Sequence, residues 1–235
     1  MTAAIKLISL LRACAPDAGW RAWCEQAVGE GIPGLERLVF NEVVPVDVRH
    51  GSASAGPYVA VIESWFTGSA ECDSFAEQVR GAGEAVQLRV HQMLIHDGGR
   101  RPLPAKILVT LKGRPGATRE ATQHHWRTRH VEVGLVEHNA TDFLRLYYQN
   151  HVIASDQCPG SATDYDGVPE YWLDEADLAA IGADSPVMRA IAEDEALFID
   201  SSSIVTMMVR ECELFCIDEA SSGWPVETSL SADVT

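Results

Sequence analysis

Positive charge is scarce in this chain. Its 235 residues carry 18 Lys and Arg against 34 Asp and Glu, a formal net charge of -16 at pH 7. A face that neutralises phosphates needs clustered Lys and Arg, so the balance argues against a nucleic-acid partner. It argues equally against an anionic membrane surface. Long apolar runs are also lacking, since no stretch approaches the ~20 residues of a membrane-spanning helix. The opening MTAAIKLISLLRACAP resembles a signal segment in part. Lys6 and Arg12 interrupt it and no clean cleavage site follows, so it reads as a first strand. Cysteine motifs are missing too: none of Cys14, Cys24, Cys72, Cys158, Cys212 and Cys216 forms a CxxC pair. Cys212 and Cys216 fall on a segment read as a strand, where residues four apart lie about 13 Å from each other, too far to share a zinc ion. The cysteines therefore read as small apolar residues in a reducing, cytoplasmic setting. His124, His125, His130, His151 and Glu211 are of ligand type, but no HExxH or similar spacing organises them. The expectation is neither metal nor cofactor.

What is present is an ordinary globular composition, 46% hydrophobic and 22% charged, enough for a substantial core. The length allows one large domain or two of about 100 residues. Asp97-Gly98-Gly99-Arg100-Arg101-Pro102-Leu103-Pro104 is the clearest linker, with Gly, Pro and paired charge and almost nothing to bury. Before it, the pattern predicts strands over Ile5–Leu11, 35–48, 59–66 and 86–95, with helices over 20–28 and 69–82. After it, strands are predicted over 106–111, 141–151, 168–173 and 203–215. A helix runs from Arg119, capped by Thr118, to about His138. A second helical region starts at Asp174 and is re-capped by Ser185-Pro186. The tail from Asp218 is rich in Ser, Asp and Glu and is expected to fray.

Each half thus reads strand, helix, strand, strand, helix, strand, the order of a split βαβ or ferredoxin-like unit. Landmarks align between halves: Ile5-Lys6-Leu7 with Ala105-Lys106-Ile107, Trp23 with Trp126, and Ile62-Glu63-Ser64-Trp65-Phe66 with Pro169-Glu170-Tyr171-Trp172-Leu173. The expected fold class is α+β, with tandem ferredoxin-like (βαββαβ) halves forming a dimeric α+β barrel-type fold. Residues 1–97 form a degenerate half, 105–218 an equipped half, and 219–235 a flexible tail. Two such sheets bury their bare faces by closing a barrel, which leaves the space between sheet and helices as the natural small-molecule site.

The run KILVTLKGRPGATREATQHHWRTRH (106–130), with LRLYYQNH and DGVPEYWL after it, resembles the EthD family of the dimeric α+β barrel superfamily. The shared features are a strand, an Arg-Pro-Gly turn, a helix with Trp-x-x-x-His, a Tyr-x-x-His strand end, and an acidic-aromatic strand. Glu193-Asp194-Glu195-Ala196-Leu197-Phe198 is similar to the family's acidic stretch before the last strand. The resemblance covers about 110 residues of the second half and only a degenerate copy in the first. It implies pairing into a barrel, commonly as a homodimer, and relatives similar to cofactor-free decarboxylases, dehydratases or cyclases acting on aromatic and polyketide substrates; related barrels also include cofactor-free monooxygenases.

The two halves differ in chemistry. His130 lies four residues after Trp126 on one helix face, whereas four after Trp23 comes Ala27. Tyr148-Gln149-Asn150-His151 ends a strand, while its first-half counterpart, Phe40-Asn41-Glu42-Val43, has no histidine. Imidazole suits proton transfer near neutral pH, and a phenol suits hydrogen bonding to developing negative charge. Candidate catalytic residues are therefore His130, His151 and Tyr148. Candidate substrate-binding residues are His125, Trp126, Tyr171, Trp172 and Glu211. Because Tyr147 and Tyr148 alternate faces, only one can look to a given side of the sheet. The expected function is a cofactor-independent lyase, a decarboxylase or dehydratase, acting on an aromatic or polyketide-like molecule. The alternatives are a non-catalytic binding or accessory protein and a cofactor-free monooxygenase.

Overall fold

The computed structural model describes residues 4–13, 19–44, 56–99, 103, 105–174, 177 and 185–217. The first half runs β1 (Ile5–Leu11), α1 (Trp20–Glu30), β2 (Leu35–Val43), β3 (Ala60–Phe66), α2 (Ser69–Ala82) and β4 (Ala85–Asp97). The second runs β5 (Ala105–Thr110), α3 (Arg119–His125), β6 (Leu144–Ser155), β7 (Gly167–Leu173), α4 (Pro186–Phe198) and β8 (Val205–Cys216). The two starts of α3 and α4 follow the sequence signals. The Thr118 hydroxyl accepts from Ala121 N–H at 3.2 Å, and that of Ser185 accepts from Met188 N–H at 3.1 Å, with Pro186 behind it. Parts of the predicted strand over 35–48, the linker, the helical stretch from Asp174 and the tail lie outside the described residues.

The sheet of each half has the order 4-1-3-2: β4-β1-β3-β2 and β8-β5-β7-β6. The halves join at both edges, β2 against β8 and β4 against β6, into a closed eight-stranded antiparallel barrel. One chain thus closes its own barrel. Closure leaves no free sheet edge, and it gives every strand an inner and an outer face.

Alternation along the strands sorts the core. On β1, Leu7 and Leu11 pack outward against Trp20, Cys24, Phe75 and Val79 of α1 and α2. Ile8 and Leu10 point inward to meet Leu88, Val90, Leu108, Val152 and Val168. The remaining inward residues form a charged network. Lys6 Nζ lies 2.6 Å from Glu63 and 2.9 Å from Glu170; Lys106 Nζ lies 3.0 Å from Glu170 and 2.5 Å from Glu211, and it also touches Glu63. Asn41 donates to Glu63 and to Val61 C=O, just as Asn150 donates to Glu170 and to Val168 C=O. Lys6 sits 4.7 Å over the Trp65 ring, and Lys106 sits 4.9 Å over Trp172.

The network repeats across the two halves: Lys6/Lys106, Glu63/Glu170, Trp65/Trp172 and Asn41/Asn150. This match also moves one alignment by a residue. Asn41 corresponds to Asn150, so the counterpart of His151 is Glu42 rather than Val43, and those of Tyr147 and Gln149 are Leu38 and Phe40. For Lys106 and Glu63 burial opposes charge, but attraction to their partners outweighs it. Desolvation pushes Lys106 down while Glu170, Glu211 and Glu63 raise it further, leaving it above its ordinary value. Burial likewise raises Glu63, yet Lys106 and Lys6 hold it well below the usual carboxylate range. Removing one partner strands an uncompensated buried charge. Lys106→Met should therefore destabilise the chain by about 3–5 kcal/mol in urea titrations; a loss below about 1 kcal/mol would mean that the network contributes little to holding the halves together.

Candidate functional site

The space between sheet and helices is filled in one half and open in the other. In the first half Trp20, Trp23, Phe66 and Phe75 stack through centroid distances of 5.5–6.0 Å, with Leu38 and Phe40 beneath them. In the second half, the turns that follow α3, together with α4, leave a cavity of about 370 Å³ over β5, β6 and β7. Its wall is largely aliphatic, including Ile107, Val109, Leu135, Leu144, Met188 and Ile191. A volume of this size suits a small organic ligand.

After α3 the backbone unwinds into π-helical turns over Trp126–His130 and Glu132–Glu137. The sequence pattern predicts one helix from Arg119 to about His138, and the structure divides it between α3 and these turns. The difference matters for His125 and His130, which are five residues apart. In an α-helix that spacing puts side chains roughly 140° apart. In i→i+5 winding, residues five apart lie nearly above one another. Both rings therefore reach the same carboxylate: His130 Nδ1 lies 2.8 Å from Asp194 Oδ2, and His125 Nε2 lies 3.0 Å from Asp194 Oδ1. Asp194 sits on the third turn of α4 and is 5% exposed. Burial alone raises its carboxyl, but hydrogen bonds from His130 and His125 outweigh that and hold it below the ordinary value. Phe198 stacks on His125 at 4.4 Å and tilts against His130 at 5.4 Å, fixing both rings. With Nδ1 engaged, Nε2 is the ring nitrogen left to His130, and the ring forms part of the cavity wall.

Trp126 also lines the cavity and is 1% exposed. Its ring lies against the backbone of Gly167, where an added Cβ would come within 2.4 Å of it; only glycine permits this approach. Trp126 Nε1–H donates to the Tyr147 hydroxyl at 3.0 Å. Gln149 Nε2 donates to the same hydroxyl at 3.1 Å and to Trp126 C=O. His151 stacks on Trp126 at 4.7 Å, and its Nε2 lies 2.9 Å from Gln149 Oε1. Since that amide oxygen only accepts, His151 carries its proton on Nε2. Burial pushes His151 down to about 4, with the charges of Arg127 and His91 adding to the effect, so the ring is neutral at pH 7.

The candidates named from sequence divide between two places. His130, Trp126 and Tyr171 line the cavity; His125 and His151 stand behind it, holding Asp194 and Gln149. Tyr148 and Glu211, by contrast, line a small polar space inside the barrel beside Glu170, and Trp172 is buried there beneath Lys106. The structure does not bring these three to His130, because strand alternation sends them through the sheet. It is Tyr147 that faces the cavity. Asp194, Tyr147 and Gln149 were not singled out from sequence. The face alternation of the Tyr pair and the acidic stretch around Asp194 were the available signals. Among the described residues, no three His, Cys, Asp or Glu side chains are grouped so as to hold a metal ion.

Neutral His151 has a consequence for stability. Below its ordinary 6.5 the unfolded chain takes up a proton that the native ring refuses until about pH 4, so the unfolded state binds more protons in that window. Stability should fall as pH drops from 6.5 to 4. The fall should be shallower in His151→Phe when urea midpoints are compared; parallel curves would show that His151 titrates normally.

The EthD domain family model matches residues 114–202, the segment carrying α3, the π turns, β6, β7 and α4. No curated protein matches the chain. Among solved structures, an anthrone oxidase-like protein is similar at a TM-score of 0.56 and 7% identity, over 92% of this chain and 96% of that one. A mutant chlorite dismutase from Candidatus Nitrospira defluvii is similar at a TM-score of 0.52 and 8% identity, over 89% and 93%. At such identities the likeness concerns the fold alone: helices packed on a closed eight-stranded antiparallel barrel of ferredoxin-like architecture.

Proposed function

We propose that the second-half cavity is the active site of a cofactor-independent oxygenase acting on a neutral aromatic or polyketide-like molecule, with His130 as the base. The observation that carries this reading is the His130–Asp194 pair at the wall of an apolar cavity. Asp194 orients the ring through Nδ1 and stabilises the imidazolium formed when Nε2 takes a proton. An apolar wall favours a flat hydrocarbon skeleton, and such a substrate can delocalise the charge left on carbon.

The wall also bears on substrate charge. Among the described residues that line it there is no Lys or Arg, and there is one carboxylate, Glu195. A substrate carboxylate would be desolvated without a cation and would face an acid, which argues against decarboxylation. A neutral molecule with an acidic C–H fits better. His130 removes that proton; the carbanion passes one electron to dioxygen; the resulting pair combines to a peroxide, and loss of water leaves a carbonyl. A CH₂ group and O₂ thus yield C=O and H₂O. The likeness of fold to an anthrone oxidase-like protein is consistent with this chemistry. The second reading is a dehydratase, favoured by Glu195, whose place in the wall suits an acid that protonates a leaving hydroxyl.

An oxygen electrode with mass spectrometry separates these readings, using chelator-treated protein and a fused-ring ketone with a benzylic CH₂. The oxygenase reading predicts one O₂ consumed per substrate, one ¹⁸O atom in the product, and a kcat lower by about 10²–10⁴ in His130→Ala. Substrate loss undiminished under nitrogen would support the dehydratase instead. Saturable binding without turnover would leave a binding or accessory protein.

A further inference from the structure

The hydrogen-bond chain behind the cavity runs in one direction. His151 Nε2–H donates to Gln149 Oε1, and Gln149 Nε2–H donates to Tyr147 Oη, as does Trp126 Nε1–H. A phenolic oxygen that accepts two hydrogen bonds has only its own proton left to give. Among the described residues no acceptor takes that proton, and Tyr147 lines the cavity. Two donors on its oxygen polarise the O–H bond and strengthen it as a donor. Burial at the same time pushes the Tyr147 hydroxyl up, with Tyr171 and Glu195 adding to the effect, so it remains a neutral O–H across the physiological range.

Of this chain the first half keeps only a tryptophan, Trp23, in the place of Trp126. Its positions equivalent to Tyr147, Gln149 and His151 are Leu38, Phe40 and Glu42, and Leu38 and Phe40 belong to its closed apolar core. The barrel-interior network, by comparison, is present in both halves. A purely architectural role would be served by Leu and Phe, as it is there. The polar chain occurs only where there is a cavity to receive its last proton.

We propose that Tyr147 is the hydrogen-bond donor to a carbonyl oxygen of the substrate, so that the cavity selects neutral ring ketones over hydrocarbons of the same shape. This deepens the oxygenase reading and rests on its cavity. Removal of a proton beside a carbonyl moves negative charge onto that oxygen, and a preorganised donor there stabilises the enolate as it forms. Tyr147 then acts on the oxygen while His130 acts on the neighbouring C–H.

The probe is α-tetralone, a bicyclic ketone, beside tetralin, which has the same skeleton without the oxygen. The wild-type protein should bind tetralone about tenfold more tightly and shift its infrared carbonyl stretch to lower frequency. Tyr147→Phe should bind the two equally and leave the stretch unshifted. Gln149→Met, which removes one donor from the Tyr147 oxygen, should reduce the shift, and this variant serves if Tyr147→Phe fails to fold. An unshifted carbonyl in the wild type, a shift that survives in Tyr147→Phe, or no tetralone binding at all would overturn the proposal. A shifted carbonyl with no His130-dependent turnover would overturn the oxygenase reading and keep the donor. Turnover dependent on His130 with an unshifted carbonyl would do the reverse.

Discussion

The buried ion network at the centre of the barrel is the constraint around which the rest is arranged. Lys6 and Glu63 come from one half, Lys106 and Glu170 from the other, and each lysine reaches the carboxylate of the opposite half. These four groups are at most 3% exposed, so the loss of one partner leaves a buried charge uncompensated. Each half supplies one Lys–Glu pair and the cross-half contacts tie the two pairs together, so the pairing of halves is specified by charge as well as by strand edges. Fixing the barrel in this way fixes which face of β5, β6 and β7 looks outward, and therefore which side chains can form the wall of a cavity beneath α3 and α4.

The same fold is used for two purposes. Over the first sheet, Trp20, Trp23 and Phe75 fill the layer under α1 and α2. Over the second, the π turns after α3 and the smaller aliphatic residues leave room. They also carry His130 to Asp194 and Trp126 to Tyr147. The polar groups there are held in ordered chains at the edge of an apolar space. That arrangement orients the groups facing the cavity, while the rest of its wall is largely apolar.

Much of this was legible in the sequence, for identifiable reasons. Strand periodicity and the matches Lys6/Lys106, Glu63/Glu170 and Trp65/Trp172 disclosed the duplication, because those residues form a repeated interior network that constrains both copies. His130 stood out because its counterpart is Ala27. The side of the sheet taken by Tyr148 was not legible: period-2 alternation separates Tyr147 from Tyr148 but does not say which faces inward until Glu170 is placed beside Tyr148. The His125–Asp194–His130 cluster was hidden because π winding, which brings residues five apart together, leaves no signature in an apolar pattern read at 3.6 residues per turn. Asp194 lay within a stretch of acids in which nothing local distinguishes it from Glu193 or Glu195.

The account depends on His130 presenting a bare Nε2 to the cavity. The most direct measurement is ¹⁵N NMR of the histidine ring nitrogens at neutral pH, with His130 assigned through His130→Gln. A base held by Asp194 through Nδ1–H requires the proton on Nδ1, with Nε2 at the chemical shift of an unprotonated nitrogen and moving when a ring ketone is added. A ring protonated at Nε2, with an unprotonated Nδ1, would show that the Asp194 contact does not orient His130 as a base and would contradict the account.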